Sequence, residues 1–377
     1  MNKVRFGDVV SEIKVNVDRN CNPYERYVAG DHMDSEDLTI HRYGNFATDD
    51  VGPAFTRIFK PGQILYGSRR TYLKKVAVAS FEGICANTTF VLESKDDSIF
   101  DNRLLPFVML SDKFTQWSIS HSKGSTNPYV LFSDLADFEF TLPPIEEQRV
   151  LADKLWAAYK LKESYKTLLV ATDEIVKSQF IEMFGTLDNP KGEIESLGSV
   201  CNIQRGGSPR PISEYITDQS DGLNWIKIGD TDDSMYITKT EEKIKPSGLR
   251  KTRQVYAGDL LLSNSMSFGR PYILKIDGCI HDGWLVLHIN DAKKLSPVYL
   301  CSYLSQQGTY AEMTKLAAGG VVQNLNSNIV KQLDVIVPDM EEQIKYIQIL
   351  EQADKSKFEL CKSIEAIDAV IKSLINN

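Results

Sequence analysis

Histidine is scarce in this chain, five among 377 residues, and no two of the five stand at metal-ligand spacing. The six cysteines, Cys21, Cys85, Cys201, Cys279, Cys301 and Cys361, are scattered and form no C-x-x-C pair. These absences argue against a zinc framework or a disulfide scaffold, and the thiols are expected to be small buried hydrophobes in a reducing compartment. No apolar run reaches the roughly 18 residues of a membrane span, and the opening MNKVRFGDVV lacks the apolar core of a secretory signal. A cytoplasmic location is therefore expected. No G-x-x-x-x-G-K-[ST] loop occurs, so the usual phosphate cradle of an NTPase is missing. Basic charge is also short: 43 Lys and Arg face 51 Asp and Glu, a formal net charge of −8. A free-standing DNA-binding domain is usually basic, because phosphate neutralisation supplies most non-specific affinity. An acidic chain can bind DNA only through a locally basic face or with partners that add contacts.

What the chain does contain is an internal repeat. The stretch LPPIEEQRV, residues 142–150, has a counterpart in VPDMEEQIK, residues 337–345. A shift of 195 positions places Pro143 on Pro338 and Glu146, Glu147 and Gln148 on Glu341, Glu342 and Gln343. The same shift places Asp173 on Asp368, Gly124 on Gly319 and Gly83 on Gly278. Leu135, Phe138, Phe140 and Leu142 fall on Val330, Leu333, Val335 and Val337, an alternating pattern expected of a half-buried strand. With small shifts, PGQILYGS answers AGDLLLSN.

Each copy has two textures. Residues 1–143 and 186–337 are rich in short β-type runs bounded by turn signals, among them GQILYGS, TTFVLES, DLLLSNS and WLVLHIN. Residues 144–185 and 338–377 are helical in pattern. In the first, Leu151, Leu155, Leu161, Tyr165, Leu168, Ile175 and Val176 recur at spacings of three and four. In the second, Ile344, Ile347, Leu350, Phe358, Cys361, Ile364, Ile371 and Leu374 do the same. Neither stretch has an interior glycine or proline, and Gly185 suits a left-handed helix end. Long amphipathic helices of this kind overhang a small β-rich domain, and two of them can bury their stripes on each other.

The proline before each helix has a mechanical reading. It is accepted in a first helical turn and pushes the preceding residue into an extended conformation, so a strand stops and a helix starts. Glu146 and Glu147 then fall in the first turn, where carboxylates favour the positive end of the helix dipole. Adjacent glutamates do not face each other as an acid–base pair would. The motif reads as a helix start and not as a catalytic site.

Two divergent domains, each followed by a long helix introduced by PPIEEQ or PDMEEQ, resemble the specificity (S) subunit of type I restriction–modification systems. The phrases FKPGQILYGSRRTYLKKVAVASFEGICANTTFVL and LFSDLADFEFTLPPIEEQ resemble its first target recognition domain. WIKIGDTDDSMYIT, YAGDLLLSNSMSFGRP and VVQNLNSNIVKQLDVIVP resemble the second. The second copy departs from the first in reading Pro-Asp where the first reads Pro-Pro. The resemblance implies an α+β fold: two β-rich target recognition domains joined by two long antiparallel helices with pseudo-twofold symmetry. It implies that each domain reads one half of a bipartite duplex DNA target, with the helices as spacer. It implies two methyltransferase subunits as partners, which supply S-adenosylmethionine, with motor-nuclease subunits as further partners. The chain itself then holds no cofactor, no metal and no catalytic centre.

Two other classes fit the sequence less well. A stand-alone adenine methyltransferase would carry (D/N)-P-P-(Y/F); NPY at 127–129 lacks the second proline, and no Gly-rich cofactor loop precedes it suitably. A protein-binding coiled-coil scaffold explains the helices but not two loop-rich domains of common frame and different surface. Readout of bases needs Arg, Lys, Asn, Gln, Ser or Thr at groove edges. The candidates in the first domain are Arg69, Arg70, Lys74 and Lys75 of YGSRRTYLKK, with Lys123, Ser125, Thr126, Asn127 and Tyr129 of HSKGSTNPYV. In the second domain they are Arg205, Ser208 and Arg210 of QRGGSPR, Asn264, Ser265, Ser267 and Arg270 of SNSMSFGR, and Gln323 and Asn324 of GGVVQNLN.

Overall fold

The computed structural model describes residues 2–18, 21–264, 268–317 and 325–376. The chain divides into two units, residues 1–167 with 360–377, and residues 168–359. Among the described residues no helix is long and apolar enough to cross a membrane.

The first unit holds two four-stranded sheets. One runs in the order Val10–Glu12, Thr89–Ser94, Ile64–Gly67, Val76–Val78. The other runs Gly44–Asn45, Arg26–Val28, Gly83–Ala86, Phe55–Phe59, with one parallel pair at its centre. The second unit repeats both. Its first sheet runs Cys201–Arg205, Trp284–Ile289, Leu260–Ser263, Pro271–Leu274, and adds the short strand Tyr236–Ile237. Its second runs Glu242–Ile244, Leu223–Ile226, Gly278–Ile280, Arg253–Val255, again with a parallel pair at its centre. Even the register is kept. Ile64 faces Leu92 and Val78, while Leu260 faces Leu287 and Ile273. The strands that meet the core are apolar on both faces, as in GICA and LLLS, so their backbones are desolvated and must pair fully.

Each unit also has short helices that the repeat pattern did not reveal: Leu105–Leu110 and Asp112–Ser120 in the first, Pro297–Leu304 and Gln307–Ala317 in the second. Ser111 and Ser296 cap two of them, their hydroxyls accepting from Phe114 N–H at 3.2 Å and Val298 N–H at 3.3 Å. A two-stranded ladder then carries the chain out of each domain. Glu139–Leu142 pairs with Asn2–Arg5, and Asp334–Val337 with Glu193–Ser196.

The long helices follow at once, Ile145–Phe184 with 40 residues and Met340–Asn376 with 37. The first stops at Gly185, which has φ +75°; a side chain there would place its Cβ 2.0 Å from the Asn189 carbonyl oxygen. Within the first unit Ala152, Leu155 and Tyr159 of the first long helix share a core with Ile371 of the second, and Lys162 pairs with Asp368. Within the second unit Phe180 and Phe184 pack on Tyr346, with ring centroids 5.1 and 5.6 Å apart, and Asp173 pairs with Lys357 at 3.1 Å. In both units later residues of one helix meet earlier residues of the other, so the pairing is antiparallel.

The buried stripe is narrower than the apolar pattern predicts. Leu161, Leu168, Ile175, Ile344 and Phe358 are exposed, while the small and aromatic residues Ala152, Tyr159, Phe180, Phe184 and Tyr346 are buried. A tyrosine or phenylalanine covers more partner surface than a leucine, so few facing positions suffice. The thiols also divide: Cys85, Cys201, Cys279 and Cys301 are buried as expected, and Cys21 and Cys361 are exposed.

Tyr159 ties the first long helix to its domain through a polar contact. Its hydroxyl donates to Asp37 Oδ1 at 2.6 Å and accepts from the Leu38 N–H at 2.9 Å, while Lys166 Nζ reaches Asp37 Oδ2 at 3.0 Å. Burial by itself would raise the Asp37 carboxyl; hydrogen bonds from Tyr159, Thr39 and Lys166 outweigh it and hold the pKa lowered to about 2. The folded value lies below the unfolded one of about 3.9, so this contribution is complete above about pH 4 and is lost as pH falls towards 2. Thermal melts between pH 2 and pH 6 should therefore fall off less steeply for Tyr159→Phe than for the unchanged protein below pH 4; equal slopes would contradict it.

Candidate nucleic-acid interface

In the first domain two candidate loops are joined by their backbones. Ser68, buried at the end of strand Ile64–Gly67, donates through its N–H and Oγ to the Thr88 carbonyl at 3.0 and 2.7 Å. Its own carbonyl accepts from the Val130 N–H at 2.9 Å, and the Arg70 N–H donates to the Pro128 carbonyl at 2.7 Å. Arg69 and Tyr129 form a bridge, and Lys123 and Tyr129 exchange backbone bonds of 2.7 and 2.9 Å. With main-chain groups engaged internally, side chains are left to face solvent. Arg69, Arg70, Ser125, Thr126, Asn127 and Tyr129 are all exposed, and so is Tyr72 in the same turn. Arg70 has φ 50° and Lys74 φ 47°, left-handed conformations that cost a non-glycine residue about 1 kcal/mol. Tyr72 was not among the candidates drawn from the sequence; its exposure places an aromatic ring beside the two arginines.

The lysines of these loops are engaged within the domain. Lys74 Nζ lies 2.9 Å from Glu36 and 3.4 Å from Asp112, and Lys123 lies 2.8 Å from Asp134. Lys75 donates to the Gly30 carbonyl. Arg69 and Arg70 stand outside every ion pair found among the described residues. Of the basic residues in these two loops, the two arginines are therefore the ones left, among the described residues, without an ion pair or a side-chain hydrogen bond.

The second domain arranges its candidates around Asp282, a residue that the sequence reading did not single out. The Asp282 carbonyl accepts from Arg205 Nε at 3.1 Å and from Asn264 Nδ2 at 2.9 Å. Its carboxylate accepts from Ser208 Oγ at 2.7 Å and lies 3.6 Å from Arg210 Nη2. The Ser208 hydrogen bond is the main reason its carboxyl sits below the usual carboxylate range. Asn264 is fully buried, so it supports the loop from beneath and does not itself face solvent. Arg270 reaches the Asp232 carbonyl at 3.1 Å and lies 5.2 Å over the Tyr272 ring. Ser265, Ser267, Gln323 and Asn324 lie outside the described residues.

Gly206 and Gly207 serve close packing. A Cβ on Gly206 would meet the His281 carbonyl oxygen at 2.1 Å, and one on Gly207 the Lys251 carbonyl oxygen at 2.9 Å. Their N–H groups donate to Trp284 and Ile280 at 2.9 and 3.2 Å, so neither is free to cradle a phosphate. The two domains nevertheless share one loop junction: the Leu325 N–H donates to the Asn264 carbonyl at 3.2 Å, as Val130 does to Ser68.

One cluster, Asp37, His41 and Glu163, brings three metal-type ligand atoms within 4.8 Å of one another. Lys166 Nζ already lies 3.0 Å from Asp37 and 2.9 Å from Glu163, so an ammonium holds the place that a cation would take. Glu146, Glu147 and Glu341 are exposed and Glu342 is half-buried; along their own helices Glu146 pairs with Arg149, and Glu341 and Glu342 with Lys345. The partners found for them are cations, not carboxylates.

Comparison with known proteins places these features in a family. Residues 35–169 and 191–368 match the type I restriction modification DNA specificity domain. The Escherichia coli type I restriction enzyme EcoDI specificity subunit is 29% identical over 151 residues, covering 40% of this chain and only 32% of that relative. A solved chain from work on the assembly and conformational transition of the type I R-M system covers 99% of this chain and 96% of its own, with 22% identity and a TM-score of 0.65. The type I restriction–modification S subunit from M. genitalium covers 99% and 94%, with 14% identity and a TM-score of 0.58. At these identities the structural likeness establishes the fold: β-rich domains joined by two long antiparallel helices.

The Asp282 hub has a local consequence. Asp282→Ala removes the acceptor of Ser208 and the partner of Arg210 in a half-exposed setting, a loss of about 1 kcal/mol. Hydrogen exchange should quicken across residues 205–211 and stay unchanged in strand Leu260–Ser263; unchanged exchange at 205–211 would show that the loop holds without this carboxylate.

Proposed function

Because the chain belongs to the type I restriction–modification DNA specificity family, we propose that it is the sequence-reading subunit of such a complex. Each β-rich domain takes one half of a bipartite duplex target. The long helices set the separation of the halves and carry exposed apolar residues, among them Leu168, Ile175 and Phe358, on which two methyltransferase subunits dock. S-adenosylmethionine and the adenine-N6 chemistry belong to those subunits, and motor-nuclease subunits can join them. The chain works as a non-catalytic member of the assembly.

The observation that carries this reading is the recurrence of one loop junction at corresponding places of two domains whose exposed side chains differ. A common frame with different tips is what two half-site readers require, because the frame positions the tips and the tips discriminate. The NPY tripeptide supports a non-catalytic role: Asn127 and Tyr129 sit in an exposed turn, with the Tyr129 main chain bonded to Lys123. An acidic chain with exposed arginines in its loops fits a subunit whose partners supply further phosphate contacts.

Sequencing the methylated bases of a host that expresses this chain with its cognate methyltransferase subunit should return one bipartite adenine motif. Binding by the same complex should weaken steeply with salt. Arg69→Ala with Arg70→Ala should weaken binding about tenfold and relax preference at one half-site only. Equal losses at both halves would overturn the modular reading of that loop, and the absence of any methylated motif would favour a scaffold that binds protein alone.

A further inference from the structure

The glutamine of the repeated Glu-Glu-Gln is buried in both copies, at 1% exposure for Gln148 and 0% for Gln343. Gln148 Oε1 accepts from the Asp101 N–H at 3.0 Å, while its Nε2 donates to the carbonyls of Ile99 at 2.9 Å and Pro143 at 2.8 Å. Gln343 Oε1 accepts from the Ser296 N–H at 2.8 Å, and its Nε2 donates to Lys294 at 2.9 Å and Pro338 at 2.8 Å. Every partner in the second set is the 195-residue counterpart of one in the first. Each amide thus ties three segments at one point: the end of the exit strand, the first turn of the long helix, and the loop that leads into the domain's short helices.

We propose that Gln148 and Gln343 are positioning residues that fix the direction in which each long helix leaves its own β-rich domain, and thereby the separation of the two half-sites. This rests on the reading of the chain as a bipartite DNA-recognition subunit. The helix of 40 residues is about 60 Å long, so a tilt of only about 3° at its start moves its far end by about 3.4 Å, the rise of one base pair. A slip of about 1 Å across one 5.4 Å turn is a tilt of about 10°. Apolar packing is non-directional, so by itself it tolerates such a slip, whereas three hydrogen bonds to one buried amide do not. The ion pairs found for the neighbouring glutamates run along their own helices, Glu146 to Arg149 and Glu341 and Glu342 to Lys345, so they do not hold the angle.

The test uses the complex of the full chain with its methyltransferase subunits and a set of duplexes that keep both half-sites and vary the spacer by single base pairs. The unchanged complex should bind one spacer length about tenfold better than its neighbours. Gln148→Met, and separately Gln343→Met, should bring neighbouring lengths within about threefold, with base preference inside each half-site unaltered. Affinity that falls by the same factor for every length would show a merely stabilising role and overturn the proposal. Should Gln148→Met fail to fold, Gln148→Asn, which keeps the amide but withdraws it by one methylene, carries the same comparison. In the unchanged protein the Asp101 and Ser296 amides should exchange slowly, and fast exchange at either would also overturn it. Failure of the unchanged complex to prefer any bipartite sequence would instead count against the DNA-recognition reading.

Discussion

Helix of this length, forty residues in one case and thirty-seven in the other, cannot bury its own apolar stripe, and the rest of the structure follows from that constraint. Each unit completes its core with a stretch of both helices. Ile371 joins the core of the first unit from far along the chain, and Phe180 and Phe184 join that of the second. Neither β-rich domain can therefore be cut cleanly from the sequence at its helix boundary without exposing apolar surface. Ion pairs such as Asp173 with Lys357 sit at the edge of this pairing and add register more than stability.

Within each unit the labour is divided between frame and tips. Main-chain bonds, joined by one buried glutamine side chain at each helix start, hold the frame: strand register, the loop junction at Ser68 or Asn264, and the Gln148 or Gln343 contacts all recur in the second copy. Side chains at the tips are free to differ. Among the described residues the first domain presents Arg69 and Arg70 without carboxylate partners, while the second gathers Arg205, Ser208 and Arg210 around Asp282. The same frame thus supports one tip of free cations and one of restrained cations, which suits two halves of a target that need not be alike.

Much of the frame was legible in the sequence, and the misses are instructive. Pro143 and Pro338 marked the helix starts because proline acts through local sterics, independent of packing. The Glu-Glu pair drew attention as charge, yet the glutamine beside it makes the structural contacts, and nothing local distinguishes a buried amide from an exposed one. The short helices were announced by Ser111 and by Ser296 with Pro297, but these signals are weaker than a long periodic run. Lys74 and Lys123 looked as free as Arg69, since Glu36, Asp112 and Asp134, which engage them, are brought near only by folding.

The sequence by itself determined the repeat, the two long helices, the proline that starts each, the glycine that stops the first, and several of the strands, because those rest on periodicity, proline and glycine. The tertiary structure alone decided which apolar residues of the helices meet a partner, which cations remain free, and that Asp282 and the two glutamines organise their surroundings. Those outcomes depend on groups far apart in the chain competing for the same few hydrogen bonds and the same buried surface, and only the folded geometry settles that competition.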